Sequence, residues 1–287
     1  MNLNNLSINF HLWGNCNMAC KGCFAKFQDV KQSVLPKGHL TKAETHKIME
    51  LLIEAAFKKI TFVGGEPMLC PWLHDLIAQA KQGEIITMLV TNGSLLTKQF
   101  LCTVKNNLDW VAISIDSLNE QTNILTGRAI KNKTTLKLHF FQDTINCIKE
   151  NKIKLKINTV VSKYNYKENL SDFISYAIPD RWKILQVLPI KGQNDNTIEE
   201  LEITKEEFIY FINNNLSAKS ITEMIPEDNE LMTGSYLMLD PAGRFYDNTK
   251  GYLKYSDSIL KVGITKALEQ IEFDYEKYLQ RGGDYNF

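Results

Sequence analysis

The chain has 287 residues, 44% of them apolar and 23% charged, with 15 Gly and 7 Pro. That excludes a disordered, collagen-like or small disulfide-stapled protein and leaves room for one large domain or two small ones. Its 33 Lys and Arg balance 33 Asp and Glu, so a globally basic surface that coats nucleic acid is excluded, and any anionic ligand must be held by a few local cations.

The amino-terminal run lacks the segments of a secretory signal, and no window approaches the ~20 apolar residues of a membrane span. A soluble, cytoplasmic protein is expected, with neither membrane nor nucleic acid as a partner. Apolar runs predict strands over 7–13, 59–64, 85–91, 110–115, 154–161 and 181–188, and a shorter one over 235–239. Helices are predicted over 41–57, 73–82, 97–106, 134–150 and 166–176. The first opens on a capping box, Thr41 with Glu44, and carries an apolar stripe of Ile48, Leu51, Leu52, Ala55 and Ala56. Six strand–helix alternations argue for parallel strands with right-handed crossovers. Six units are fewer than the eight of a closed barrel, so the expected fold class is α/β, a partial (β/α)6 TIM-type barrel over 1–190. Its chemistry belongs at the carboxyl ends of the strands. After a polar connection over 192–200 the pattern decays. Residues 191–287 are expected to form an irregular extension, with one strand and a helix over 265–271, that closes the substrate site.

Three of the six cysteines, Cys16, Cys20 and Cys23, fall in CxxxCxxC spacing directly after the first strand, while Cys70, Cys102 and Cys147 are scattered. Three thiolates on one loop suit three corners of a cubane 4Fe–4S cluster, leaving one iron open to a chelating ligand. A structural zinc site normally has four ligands in two close pairs, and the sequence has no second pair; thiols without any chemistry are the other bland reading. The motif, followed by Phe24, resembles that of the radical S-adenosylmethionine (SAM) family. The resemblance implies that the open iron binds the amino and carboxylate groups of SAM, and that reductive cleavage yields a 5'-deoxyadenosyl radical. Gly64-Gly65-Glu66-Pro67 ends the second strand like the family segment that holds the methionine ammonium. Its glycines permit close backbone approach and Glu66 offers a charge-assisted acceptor. Asn92 and Ser114 match the positions that contact adenosine, and Arg128 matches one that pairs with the methionine carboxylate. Each alone reads as a turn or cap residue; the ordered set carries the resemblance.

Side chains two apart on a strand share a face, which groups Lys154, Lys156 and Asn158, and also Arg181 with Lys183. Cations inside apolar strands are costly to bury unless a ligand pairs them. The bland alternative has Lys59, Lys154 and Arg181 reaching solvent from strand starts, and Arg281 in a mobile tail. Asn9-Phe-His11, Lys59 with the Gly-Gly-Glu-Pro segment, Thr91-Asn-Gly-Ser-Leu95, Lys156-Ile-Asn158, Arg181-Trp-Lys183, Ser235-Tyr236 and Arg281-Gly-Gly fall in order, and in this the chain resembles the viperin family across almost its whole length.

That resemblance implies a 3'-deoxy-3',4'-didehydronucleotide synthase, which turns a ribonucleoside triphosphate into a chain-terminating analogue used in antiviral defence. Lys59, Lys156, Arg181, Lys183 and Arg281 would hold the triphosphate, with Asn158 nearby. The adenosyl radical would remove H4', the 3'-hydroxyl would leave as water, and an electron donor of flavodoxin or ferredoxin type would complete the reaction. Tyr236 matches the proton donor, and reads equally as a core tyrosine with a hydrogen-bonded tip. Asn9 favours CTP, whereas Asn248, a cysteine in animal relatives, leaves UTP or GTP open. A monomer is expected. Two alternatives stand beside this reading. A radical SAM peptide-maturing enzyme is disfavoured because no cysteine follows Cys147, and a non-catalytic nucleotide or SAM sensor would not need an open-iron triad.

Overall fold

Side chains alternate between the two faces of a strand, and in the computed structural model, which describes Leu3 and residues 6–284, the strands join in one sheet with one mainly apolar face. The outermost ends of the two expected units, at 1, 2, 4, 5 and 285–287, lie outside the described residues. Strands β1 (Ser7–Trp13), β2 (Lys59–Gly64), β3 (Ile86–Thr91), β4 (Trp110–Ser114), β5 (Lys154–Val161) and β6 (Arg181–Gln186) pair in sequence order, each parallel to the next. Helices Lys42–Glu54, Leu73–Gln82, Lys98–Val104, Leu138–Glu150 and Ser171–Ala177 fill the crossovers. Phe10, Phe62, Val111, Ile157 and Trp182 on the apolar face pack in one cluster with Ile48, Leu52, Ile77, Ile145 and Ile174 of the helices, and none is more than 1% exposed. Burying each such side chain is worth about 1.5–3 kcal/mol, which fastens the helices to that face.

The first helix keeps its reciprocal Thr41–Glu44 cap but ends at Glu54, because Ala56 turns into the left-handed region at φ 56°. The predicted helix over 166–176 is confined to Ser171–Ala177.

The extension is more regular than its sequence suggests. β7 (Glu223–Glu227) continues the parallel sheet beyond β6. On the opposite edge β8 (Met238–Leu239) pairs parallel with β1, followed by antiparallel β9 (Arg244–Asp247) and β10 (Lys254–Ser258). The resulting order, β10-β9-β8-β1-β2-β3-β4-β5-β6-β7, has β10 and β7 as its two edges, so the barrel is partial and not closed. Helix Lys205–Asn214 has a complete capping box of Thr204 and Glu207, a start signal present in the sequence. The helix expected over 265–271 runs instead over Ile259–Leu268. No helix among the described residues is long and apolar enough to cross a membrane.

Candidate active site

The inner faces of β1 to β6, polar on β1, β5 and β6 and apolar at Met88 and Val90 of β3, enclose with the loops at their carboxyl ends one cavity of about 680 Å³. Every predicted site residue except Glu66 lines it. At one end lies the loop of Cys16, Cys20 and Cys23, all three unpaired. The backbone explains why glycines flank this loop. A Cβ on Gly64 would sit 2.3 Å from the Trp13 carbonyl oxygen, one on Gly65 2.4 Å from that of Asn15, and one on Gly127, at φ 75°, 2.4 Å from that of Ala19. The double glycine therefore lets the end of β2 pack against the cysteine loop, and Gly127 does the same for the loop after β4. Lys21 N–H donates to the Thr126 carbonyl at 2.8 Å and Lys131 N–H to the Asn17 carbonyl at 2.9 Å, completing the brace.

The donor set fits a cluster. The Met18 amide donates to Cys16 Sγ at 3.4 Å and Asn92 Nδ2 approaches it at 3.9 Å, the kind of N–H···S contact that tunes cluster sulfurs. Burial pushes the Cys20 thiol up to about 12, with the Arg128 charge opposing it, so this thiol needs a cation on its sulfur to ionise. Among the described residues no three Cys, His, Asp or Glu side chains converge as ligands of a single ion do.

Glu66 lies behind the cavity wall and is fully buried. Its carboxylate accepts from Thr91 Oγ1 at 2.6 Å, the Asn92 amide at 2.8 Å and the Met68 amide at 3.1 Å. It thereby ties the end of β2 to that of β3. Burial raises its pKa and these three donors oppose the rise. Three bonds leave acceptor capacity on a carboxylate. Asn92 donates to Asn17 Oδ1 at 2.8 Å and accepts from Ser94. Arg128 is held by Asp116 through a charge-assisted bond and reaches the Ser114 carbonyl at 3.4 Å. Asp116 itself also accepts from the Val160 amide at 2.9 Å.

At the other end stand the cations. Lys59, Lys156, Arg181, Lys183 and Arg281 are each at most 9% exposed, and sheet register sets Lys156 opposite Arg181 and Asn158 opposite Lys183. Burial, then the neighbouring positive charges, hold Lys59 and Lys156 well below the ordinary lysine range. Lys183 is lowered to about 8 by burial, with Glu227 opposing. Arg181 donates to the Gly282 carbonyl at 3.2 Å and meets Glu223 at 3.4 Å. Arg281, from the turn after helix Tyr275–Gln280, donates to the Ser235 carbonyl at 3.1 and 2.9 Å and stacks over the Tyr236 ring at 3.6 Å. The carboxyl-terminal turn therefore belongs to the site.

Sequence reasoning gave no role to Glu227, Asp116 or Asn17. Glu227, at the end of β7 and fully buried, contacts Lys183 Nζ at 2.6 Å and Arg281 at 3.9 Å, and accepts from the Tyr236 hydroxyl. Asn9 and Asn248 lie where β1 meets the extension. Asn248 is buried and accepts from the Gly234 amide at 2.8 Å. Next to Asn9, His11 packs against Phe24, Phe27 and Tyr246, and burial lowers its pKa to about 3, keeping it neutral.

Comparison with known proteins places this geometry. The family model of the radical SAM superfamily matches residues 11–202. A protein of Lacinutrix mariniflava named S-adenosylmethionine-dependent nucleotide dehydratase is 53% identical over 98% of this chain, which spans 58% of that protein's length. One of the same name from Flammeovirga pacifica is 50% identical over 98% of this chain and 96% of its own. Another, from Danio rerio, is 36% identical over 97% and 77%. Among solved structures, native anSMEcpe with bound AdoMet and Kp18Cys peptide superposes with a TM-score of 0.70 at 15% identity, over 96% of this chain and 82% of that one. Streptococcus suis SuiB bound to precursor peptide SuiA gives 0.66 at 15%, over 96% and 66%. At that identity the two structures bear on the fold alone.

Proposed function

Because the chain belongs to the radical SAM superfamily and, within it, to the S-adenosylmethionine-dependent nucleotide dehydratases, we propose that it converts a ribonucleoside triphosphate to its 3'-deoxy-3',4'-didehydro analogue. The observation that carries this reading is the convergence of five buried cations, Lys59, Lys156, Arg181, Lys183 and Arg281, on one wall of a cavity whose other end is the cysteine loop. Among them Lys59, Lys156 and Lys183 have their affinity for protons depressed by burial, and a bound polyanion would restore their charge.

The family's cofactors are SAM and a 4Fe–4S cluster, which when bound supply the adenosyl radical that removes H4'. In this chain Cys16, Cys20 and Cys23 hold the cluster. The backbone of Gly64 and Gly65, with Glu66, Asn92, Ser114 and Arg128, holds SAM, Glu66 also fixing the strand ends on which the others stand. The five cations bind the triphosphate, Asn158 stands beside it, and Asn9 and Asn248 face the base, with CTP favoured over UTP and GTP. Tyr236 protonates the leaving 3'-hydroxyl. Residues 1–190 carry the cofactors, and 191–287 close the substrate site through Tyr236, Asn248 and Arg281. The product acts as a chain terminator in antiviral defence, the electron donor is of flavodoxin or ferredoxin type, and the enzyme works as a cytoplasmic monomer.

The test is anaerobic reconstitution followed by incubation with SAM, reductant and each nucleoside triphosphate. The reading requires nucleotide-dependent 5'-deoxyadenosine and a dehydrated nucleotide; 5'-deoxyadenosine that stays at the nucleotide-free background with all four would refute it.

A further inference from the structure

A carboxylate buried directly behind the cations of a polyanion site calls for a reason. Glu227 is fully buried against Lys183 of β6, Tyr236 just before β8 and Arg281 of the carboxyl-terminal turn, all of which face the cavity. Its charge is balanced by Lys183 at 2.6 Å and Arg281 at 3.9 Å, with Arg181 and Lys156 on the same wall. Tyr236 touches both partners of the Lys183–Glu227 pair: its hydroxyl accepts from the Lys183 ammonium and donates to Glu227. The phenol proton is therefore directed at Glu227, and the cations that neutralise Glu227 are two of those assigned to the triphosphate.

These contacts couple substrate binding to proton supply. A triphosphate that engages Lys183 and Arg281 competes with Glu227 for their charge. A buried carboxylate that loses its partners is costly, and burial then favours the neutral acid. We propose that Glu227 is a positioning residue for dehydration: it takes up a proton as the triphosphate binds, and returns that proton to Tyr236 after Tyr236 has protonated the leaving hydroxyl.

The step balances. After loss of H4' as a hydrogen atom, the C3'–O bond breaks heterolytically and hydroxide leaves as water with the Tyr236 proton. The phenolate takes the Glu227 proton. The remaining radical cation gains one electron from the flavodoxin- or ferredoxin-type donor, forming the C3'=C4' bond. One proton is consumed per turnover, the one loaded at binding. This inference rests on the nucleotide-dehydratase reading above.

The experiment compares the reconstituted wild type with Glu227→Gln, Glu227→Asp and Tyr236→Phe. Calorimetric titration with CTP in the absence of SAM, in buffers of different ionisation enthalpy, counts protons taken up. Wild type should take up about one more than Glu227→Gln. In turnover Glu227→Gln should still cleave SAM, but its didehydro product per 5'-deoxyadenosine should fall at least ~100-fold, the lower end for loss of a general acid. Glu227→Asp should recover part of that coupling, and Tyr236→Phe should lose it while keeping the proton uptake. Equal proton uptake and equal coupling in Glu227→Gln and wild type would overturn the proposal, leaving Lys183 as the source of the proton. Should Glu227→Gln fail to fold, wild-type coupling in Tyr236→Phe overturns it as well. Failure of the nucleotide reading looks different: no nucleotide then raises 5'-deoxyadenosine in any of the four proteins.

Discussion

Gly65→Ala tests how the fold builds the cluster site. The added Cβ would lie 2.4 Å from the Asn15 carbonyl oxygen, 2.5 Å from its carbon and 3.0 Å from the Cys16 nitrogen, all backbone atoms, whereas ordinary contact begins at 3.4 Å. The cysteine loop must therefore retreat by about 1 Å, against the strand-end bonds Gly65 N–H to Trp13 and Glu66 N–H to Asn15. Overpacking of this kind typically costs ~1–3 kcal/mol, a factor of about 5 to 150 in the population of the cluster-competent loop. Gly192→Ala is the control, since its Cβ meets nothing within 4 Å and only its φ of 84° is strained. Iron content and visible absorbance after anaerobic reconstitution, beside thermal melts of the apoproteins, separate the two. Gly65→Ala should lose most of its cluster at a melting temperature like that of Gly192→Ala, which keeps its cluster. Full cluster occupancy and SAM cleavage in Gly65→Ala would refute the packing argument.

Other outcomes follow from the same contacts. Replacing Cys16, Cys20 or Cys23 with Ala should abolish cluster absorbance and SAM cleavage together. Lys156→Met should raise the nucleotide KM by about 30-fold or more, as loss of a buried charge contact does, while raising the melting temperature of the nucleotide-free protein by removing an amine that burial, then the neighbouring positive charges, disfavour. Asp116→Asn should weaken SAM binding by loosening Arg128, read as a higher KM for SAM with nucleotide affinity unchanged. For pH, Lys183 is lowered to about 8, below its unfolded value, so the unfolded chain binds the extra proton between about 8 and 10.5. Nucleotide-free stability should therefore rise with pH across that window, while nucleotide affinity falls as the lysines discharge. Melts and binding titrations across that range check both signs.

The six central strands were legible as short apolar runs separated by helical periodicity, and the two-residue alternation of side chains grouped Lys156 with Asn158 and Arg181 with Lys183 on shared faces. β7 was not, because Glu-Met-Ile-Pro-Glu has charges at both ends and a proline, which an edge strand tolerates and a sequence pattern reads as loop. With β7 hidden, Glu227 had no visible partner; its meaning depends on Lys183 and Arg281, 44 and 54 residues away in sequence. Glu66 was visible as part of a motif, but only packing shows that it stands behind the wall with three donors on its carboxylate. The double glycine was expected to admit a ligand, and the backbone shows that it also admits the cysteine loop. Arg281, read beside the possibility of a mobile tail, is fixed by the Ser235 carbonyl and the Tyr236 ring.

The central claim, that a nucleotide held by these cations gives up H4', is tested most directly with 4'-deuterated CTP, followed by the mass of the 5'-deoxyadenosine formed. The account predicts one deuterium in 5'-deoxyadenosine and a nucleotide product that has lost the label and the 3'-hydroxyl, the elements of HDO in all. Unlabelled 5'-deoxyadenosine, with the deuterium retained in CTP, would contradict it.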